Sequence, residues 1–288
     1  MRDLDQYSLY EWLYVQPAVA AFKEVRDAVI RDLYCRRRPR TLDDFLARHA
    51  DVRGGQLATV VAYEQPWLID LFAERFAQFV PGVQLLIADN SASDARANEI
   101  AAICRKRGTM YLRLPSNPVR NINRSHGNAL NWVYRNVIAR LQPKIFALFD
   151  HDIFPTAPVD LEVLLGDQPF YGHKYDQGYG WALWAGYSVF RFDQIAPTRP
   201  DFNPDMDRLL VTGGRNRPRL YRHYDPARLR FASYRLDAPL DAQGRTLYIE
   251  TIDGWLHLGG SSYQQKKIEA REFFLALLAA ADRDRKTA

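Results

Sequence analysis

Between Leu57 and Phe149 short apolar runs alternate with helical patterns, and this alternation constrains the fold more than any other feature of the chain. Leu57 to Tyr63 reads as a strand, Pro66 to Phe79 as a helix carrying Leu68, Leu71, Phe72, Arg75, Phe76 and Phe79, and Val83 to Ala88 again as a strand. Two further strands, at 109–114 and 145–149, bracket a helix with the apolar face Ala129, Leu130, Val133, Val137 and Leu141. Such a succession predicts an α/β fold, a doubly wound, mostly parallel central sheet flanked by helices. Ligands of these sheets bind beyond the carboxyl ends of the strands. Here those ends carry Tyr63-Glu64, Asp89-Asn90, Ser116-Asn117 and Asp150-His151-Asp152.

The flanks read differently. Pro17 suits a first helical turn, and a helix over 17–34 gathers Phe22, Val25, Val29 and Leu33 on one apolar face. Thr41 to Asp44 resembles a helix start, with Leu42, Phe45 and Leu46 able to pack a short second helix. Residues 1–55 are therefore expected to form an N-terminal helical extension. Past Pro155 the alternation fades into a stretch rich in glycine and aromatics, Tyr171 to Tyr187, whose rings either pack a loop-rich lobe or stack on a sugar or nucleobase. Tyr187 to Phe192 is one more strand. A closing helix near Ser262 to Asp284 carries Ile268, Phe273, Phe274, Leu277 and Leu278 and is expected to dock on its own domain, with a membrane contact as the alternative.

At 288 residues, 47% hydrophobic and 25% charged, the chain suits one large globular domain with additions. Cys35 and Cys104 lie too far apart for a metal-binding pair and suggest no disulfide framework. The first residues lack a signal-peptide pattern and no apolar stretch reaches the roughly 20 residues of a membrane span, so a cytoplasmic location is expected. The net charge of +5 is mostly scattered arginine. Only Arg36-Arg37-Arg38-Pro39-Arg40 is dense, read as a solvated loop or, alternatively, as a phosphate or headgroup contact.

The run Ile145 to Phe149 ends in Asp150-His151-Asp152, two carboxylates one residue apart at the exit of a buried strand. They repel each other unless a cation or bases neutralise them, and a divalent ion bridging to a diphosphate would do so. Either residue singly could instead be a capping or loop aspartate.

Taken with its surroundings this segment resembles the donor-binding half of nucleotide-diphospho-sugar glycosyltransferases of the GT-A fold, family-2 type. The likeness covers Leu57 to Pro155, with weaker echoes to Ser261. Val60-Val61-Ala62-Tyr63 resembles the family's first strand and nucleotide-contacting exit. Leu86 to Asp94 resembles the second strand and its turn, implying that Asp89 contacts the base. The stretch Asn123-Arg124-Ser125-His126-Gly127-Asn128-Ala129-Leu130-Asn131 is similar to the region beneath the diphosphate. There small residues would admit phosphate to the backbone, and Arg124 and His126 would add charge-assisted hydrogen bonds. Asp150-His151-Asp152 resembles the metal and ribose motif, and Asp253 to Ser262 the late segment that supplies a third ligand, here His257.

The resemblance implies a GT-A domain over 56–261, with a nucleotide-sugar half at 56–155, an acceptor half at 156–261 and a C-terminal helix at 262–288. It implies Mn2+ or Mg2+ on Asp150, Asp152 and His257, and donor contacts from Tyr63, Asp89, Asn117, Arg124, His126, Gly127, Asn131 and Asp150. The activity implied is transfer of a sugar to a carbohydrate, lipid-linked or other hydroxyl acceptor, with inversion and no nucleic-acid partner. Trp184 to Phe192 resembles the strand shaping the acceptor side, and the segment Pro204 to Gly214 would supply the base, Asp207 first and Asp205 second. The usual Glu-Asp pair is absent there, which keeps a non-catalytic nucleotide- or sugar-binding module open. A processive synthase lacks its Q-x-x-R-W, a nucleotidyltransferase its Gly-rich loop after the first strand, and a dinucleotide oxidoreductase its G-x-G-x-x-G.

Overall fold

The computed structural model describes residues 2, 4–14, 17–176, 179–237, 249–259 and 267–287. An N-terminal extension of three helices, α1 (Leu9–Tyr14), α2 (Pro17–Cys35) and α3 (Leu42–Arg48), leads into the first strand, β1 (Gln56–Ala62). Then follow α4 (Pro66–Phe79), β2 (Gln84–Asp89), α5 (Asp94–Arg107), β3 (Met110–Arg113), α6 (Ile122–Val133), a π-helical turn at 134–138 that continues into α7 (Ala139–Leu141), and β4 (Ile145–Phe149). Strands β1 to β4 pair in parallel in the order β3-β2-β1-β4. The expected doubly wound sheet is present, with strand bounds within two residues of those read from the sequence.

Alternate side chains on these strands enter two cores. Leu57, Val61, Leu86 and Phe146 meet α3, α6 and the end of α2 on one face, while Ala58, Val60, Ile87 and Phe149 meet α4 and α5 on the other. Burial on both faces is what continuous apolar runs encode. Each crossover is punctuated by its sequence: Ser93 caps α5 by accepting from the Arg96 N–H, Gly108 ends that helix in the left-handed region, and Asn121 caps α6 by accepting from the Arg124 N–H.

The chain after Pro155 is more regular than its sequence suggests. Beyond the short β5 (Ile153–Phe154) and α8 (Leu161–Leu165), β6 (Phe170–Asp176) and β7 (Trp181–Arg191) complete the first sheet as an antiparallel pair beside β4. After the short α9 (Phe192–Ile195), loops and single turns lead to β8 (Tyr234–Asp237), β9 (Ile249–Ile252) and β10 (Trp255–His257), which form with β5 a second, antiparallel sheet, β5-β10-β9-β8. The closing helix α10 (Lys267–Thr287) packs Phe274 and Leu278 into the core on the α4 side, as expected of self-docking.

The amphipathic helix read over 17–34 is present as α2, and its orientation is a finding of the structure. The apolar face of α2 does not meet the domain: Phe22, Val25, Val29 and Leu33 are exposed, and the helix docks through its polar side. The guanidinium of Arg31 pairs with Asp201, Asp27 with Arg124 and Asp32 with Arg135, while Tyr34 and Cys35 enter the core at the C-terminal end. A buried charge requires a partner, and for Arg31 the segment after Pro200 supplies it. No described helix is long and apolar enough to cross a membrane.

Candidate metal centre at the exit of the central strand

In the order β3-β2-β1-β4, the chain winds outward from β1 and then returns to β4, so the crevice between β1 and β4 lies where the winding reverses. Asp150-His151-Asp152 turns the chain out of β4 at that crevice. The turn is fixed by backbone: the Asp150 N–H donates to the Gly186 carbonyl of β7, and the buried His151 ring bonds through Nδ1 to the Val61 carbonyl of β1, 3.2 Å away. His151 thereby ties the turn to β1 and leaves the flanking aspartates to project.

The second half of the centre comes from 100 residues downstream. Asp253-Gly254 forms a two-residue hairpin turn with both residues at positive φ, 48° and 81°, the combination that Asp-Gly favours. A two-residue turn fixes the register, placing His257 opposite Glu250, and β10 then pairs on its other edge with β5 so that His257 also lies opposite Ile153. The Leu258 N–H closes the match by donating to the Asp152 carbonyl. Imidazole and carboxylate are thus held together by strand register.

Asp150, Asp152 and His257 can each offer a ligand atom within 4.8 Å of the others. His257 Nε2 lies 3.4 Å from Asp152 Oδ1, and its Nδ1 hydrogen-bonds the Glu250 carboxylate. Burial alone would lower the imidazole pKa, but the two carboxylates outweigh it and raise it to about 10. The same burial raises Asp150, with Asp152 adding repulsion and His126 Nε2, 3.5 Å from Asp150 Oδ1, opposing it. Asp150 Oδ1 is buried without a hydrogen bond. A cation fits these residues: two hard oxygen donors, an imidazole oriented by a carboxylate on its far nitrogen, and one buried oxygen still lacking a hydrogen bond.

Aromatic rings wall this centre. The Trp184 ring lies 4.9 Å from that of His257, and a Cβ at Gly186 would come within 2.2 Å of the indole, so glycine two residues along β7 is what lets Trp184 lie there. His173 of β6 stacks on Tyr234, whose hydroxyl donates to Glu250. Of the glycine-rich aromatic stretch, Trp181 packs against Tyr221 and Phe231, and Tyr171 and Tyr187 donate to Asp253. Those rings are packing; Trp184 is the one that faces the centre.

The other residues picked from the sequence fall in different places. Tyr63 is 40% exposed at the β1 exit, where Glu64, at φ 55°, reaches across to accept from the Ala92 and Ser93 N–H groups and pins the β1 and β2 exits together. Asp89 is fully buried, and its carboxylate accepts from the Ser91 N–H, the Tyr111 hydroxyl and Arg113. Asn117 holds its own loop by bonding the Ser125 carbonyl and the Val119 N–H.

On α6 two residues apart means opposite sides, so His126 faces Asp150 while Arg124 turns to Asp27 of α2, lining a cavity of about 140 Å³ with Arg26 and Arg215. Gly127 is required, though by protein and not by an open phosphate cradle: a Cβ would lie 2.6 Å from Asn203 Oδ1 and 2.9 Å from the Phe202 carbonyl. Asn131 is buried and bridges Asp201 to the Phe202 N–H.

Neither aspartate expected as a base stands free. Asp205 is buried in an ion pair with Arg208 at 2.7 Å. Asp207 accepts from the Arg2 N–H and the Tyr7 hydroxyl; burial would raise its pKa, but these donors and the Arg2 charge bring it below the usual carboxylate value.

Glu250 as a member of the candidate site escaped the sequence reading, whereas Trp184 lay in the aromatic stretch that the sequence offered for stacking. The signal for Glu250 was Asp253-Gly254 between Ile252 and Trp255, since the two-residue turn alone makes Glu250 the partner of His257.

No protein-family model and no curated protein sequence matches the chain. Among solved structures it is similar to a mannosyltransferase of Pyrobaculum calidifontis in complex with GDP-Man and Mn2+, at 12% identity and TM-score 0.39 over 62% of this chain and 57% of that one. It is also similar to TarS of S. aureus, at 11% identity and TM-score 0.38 over 54% of this chain and 32% of that one. A third likeness is to glucosyl-3-phosphoglycerate synthase of Mycobacterium tuberculosis in complex with phosphoglyceric acid, at 19% identity and TM-score 0.34 over 55% and 63%. In each case less than two thirds of the solved chain is spanned.

Proposed function

We propose that this protein is a metal-dependent glycosyltransferase that moves a sugar from a nucleotide-diphospho-sugar to an acceptor hydroxyl, acting in a reducing compartment such as the cytoplasm. The observation that carries the proposal is the Asp150, Asp152 and His257 cluster at the winding reversal between β1 and β4, with a buried Asp150 oxygen that lacks a hydrogen bond. Divalent Mn2+ or Mg2+ is the group such donors suit, and when bound it would offset the charge developing on a departing diphosphate.

In this reading Asp150, Asp152 and His257 Nε2 hold the ion. Glu250 holds the Nδ1–H of His257, so Nε2 is the nitrogen that would ligate, releasing its proton to solvent when the ion binds. His126, beside Asp150, can donate to a phosphate oxygen, and the exposed Tyr63 ring at the β1 exit offers a surface to the nucleoside. The nucleotide-sugar half is 56–155, and Trp184 from the remainder walls the side an acceptor would approach. Inversion needs a carboxylate facing the acceptor hydroxyl; Asp207 is the candidate, once released from Arg2 and Tyr7. Cys35 and Cys104 play no part, since burial pushes both thiols up to about 11.

A thermal-shift panel of UDP-, GDP- and TDP-sugars with and without manganese, followed by calorimetry on the best of them, tests the proposal. Metal-dependent binding is expected for the natural protein, with Asp152→Ala weakening it by roughly a hundredfold. Metal-dependent binding with neither transfer nor hydrolysis would mark a binding module instead, and no response to any of these sugars would remove the proposal.

A further inference from the structure

The outward face of α2 is a second surface that the domain leaves uncovered. Phe22, Val25, Val29 and Leu33 are 70%, 65%, 52% and 54% exposed along one side of a 19-residue helix. Large apolar side chains recurring on a solvent face are unusual for a protein that ends its contacts there. They are not outward through a weak hold on the domain: the inner side is fixed by the ion pairs of Asp27, Arg31 and Asp32 described above.

The charges around this face are sorted by sign. Every acidic residue of α2 is paired: Glu24 with Arg215, Asp27 with Arg124 and Arg26, Asp32 with Arg31 and Arg135. Lys23 on the exposed side, and Arg36, Arg38 and Arg40 just past the helix, are exposed and have no carboxylate partner among the described residues. An apolar stripe bordered by unpaired cations matches an anionic lipid surface, with the helix lying in the headgroup region. A second copy fits less well, because a two-fold contact would set these cations against their own kind.

We infer that the exposed face of α2, with the arginines after it, docks the protein on the surface of an anionic lipid bilayer without spanning it. The inference does not depend on the activity proposed above. The test is co-sedimentation of the full chain with vesicles of phosphatidylcholine alone or mixed with phosphatidylglycerol. Binding is expected to the mixed vesicles and to fall as salt is raised. Phe22→Asp with Val29→Asp should reduce it by roughly tenfold or more while leaving the melting temperature near that of the natural protein. Arg36→Glu with Arg38→Glu, outside the helix, should abolish the preference for phosphatidylglycerol. Natural protein that stays in the supernatant, binding equal on both vesicle types, or undiminished binding by the Asp variant would each overturn the inference. So would a dimer in sedimentation velocity that the Asp variant dissociates while neither form binds vesicles.

Discussion

Helices α2 and α10 are the two longest among the described residues, each carries apolar residues at helical spacing, and they dock in opposite ways. Helix α10 behaves as its pattern suggests: Phe274 meets Phe154 at 5.3 Å between ring centres, Leu278 is buried beside it, and Asp282 accepts from the two terminal guanidinium nitrogens of Arg75 at 2.9 and 3.0 Å. Helix α2 turns the same kind of stripe to solvent and places Arg31 inside against Asp201. Periodicity identifies a face; the surface it meets decides which face goes in. Where that surface offers Phe154 and α4, the apolar side wins. Where it offers the buried Asp201, flanked by Arg124, Arg135 and Arg215, the charged side does, because leaving the Asp201 carboxylate buried without Arg31 would cost more than exposing four aliphatic and aromatic side chains gains.

This contrast gives testable differences. Arg31→Met should have the largest effect, about 3–5 kcal/mol of lost stability by urea denaturation, because it removes the counter-charge of a buried carboxylate. Asp201 is 3% exposed and its remaining bonds, from Asn131 Nδ2 and the Asn203 N–H, are neutral. A loss below about 1 kcal/mol, the range of an exposed pair, would mean that α2 is not held by its polar side. Phe274→Ala comes next, at about 3 kcal/mol, the lower end for a buried phenylalanine because a terminal helix can settle into the space. An unchanged melting curve would show α10 to be undocked in solution.

The same contrast explains what the sequence could and could not disclose. Strands β1 to β4 and their crossovers were legible because burial on both faces leaves unbroken apolar runs, and Asp150-His151-Asp152 stood out because it ends such a run. His257 was legible as a candidate, while its partner Glu250 depended on hairpin register, a non-local consequence of Asp253-Gly254. Arg124, Asn131, Gly127 and Asp89 were noticed for their chemistry, yet each is engaged by protein: Asp27, Asp201, Asn203 and Arg113. Those partners lie 24 to 97 positions away in the chain, and no local pattern names them. Strands β5, β6, β8, β9 and β10 were missed because short antiparallel strands near loops lack a sustained period.

The smallest expected effect is the most discriminating. Val29→Ser on α2 exchanges two residues of similar helix propensity, so any change in stability reports burial and little else. With Val29 52% exposed and its stripe facing solvent, the change should stay within about 0.5 kcal/mol in urea. In α10 a comparable loss of apolar volume at Phe274 is expected to be several-fold larger. If Val29→Ser instead costs more than about 1 kcal/mol, and the cost grows with protein concentration, the stripe is covered by another copy of the chain in solution. The two long helices would then obey one rule after all, with α2 burying its apolar side in a partner and not in its own domain.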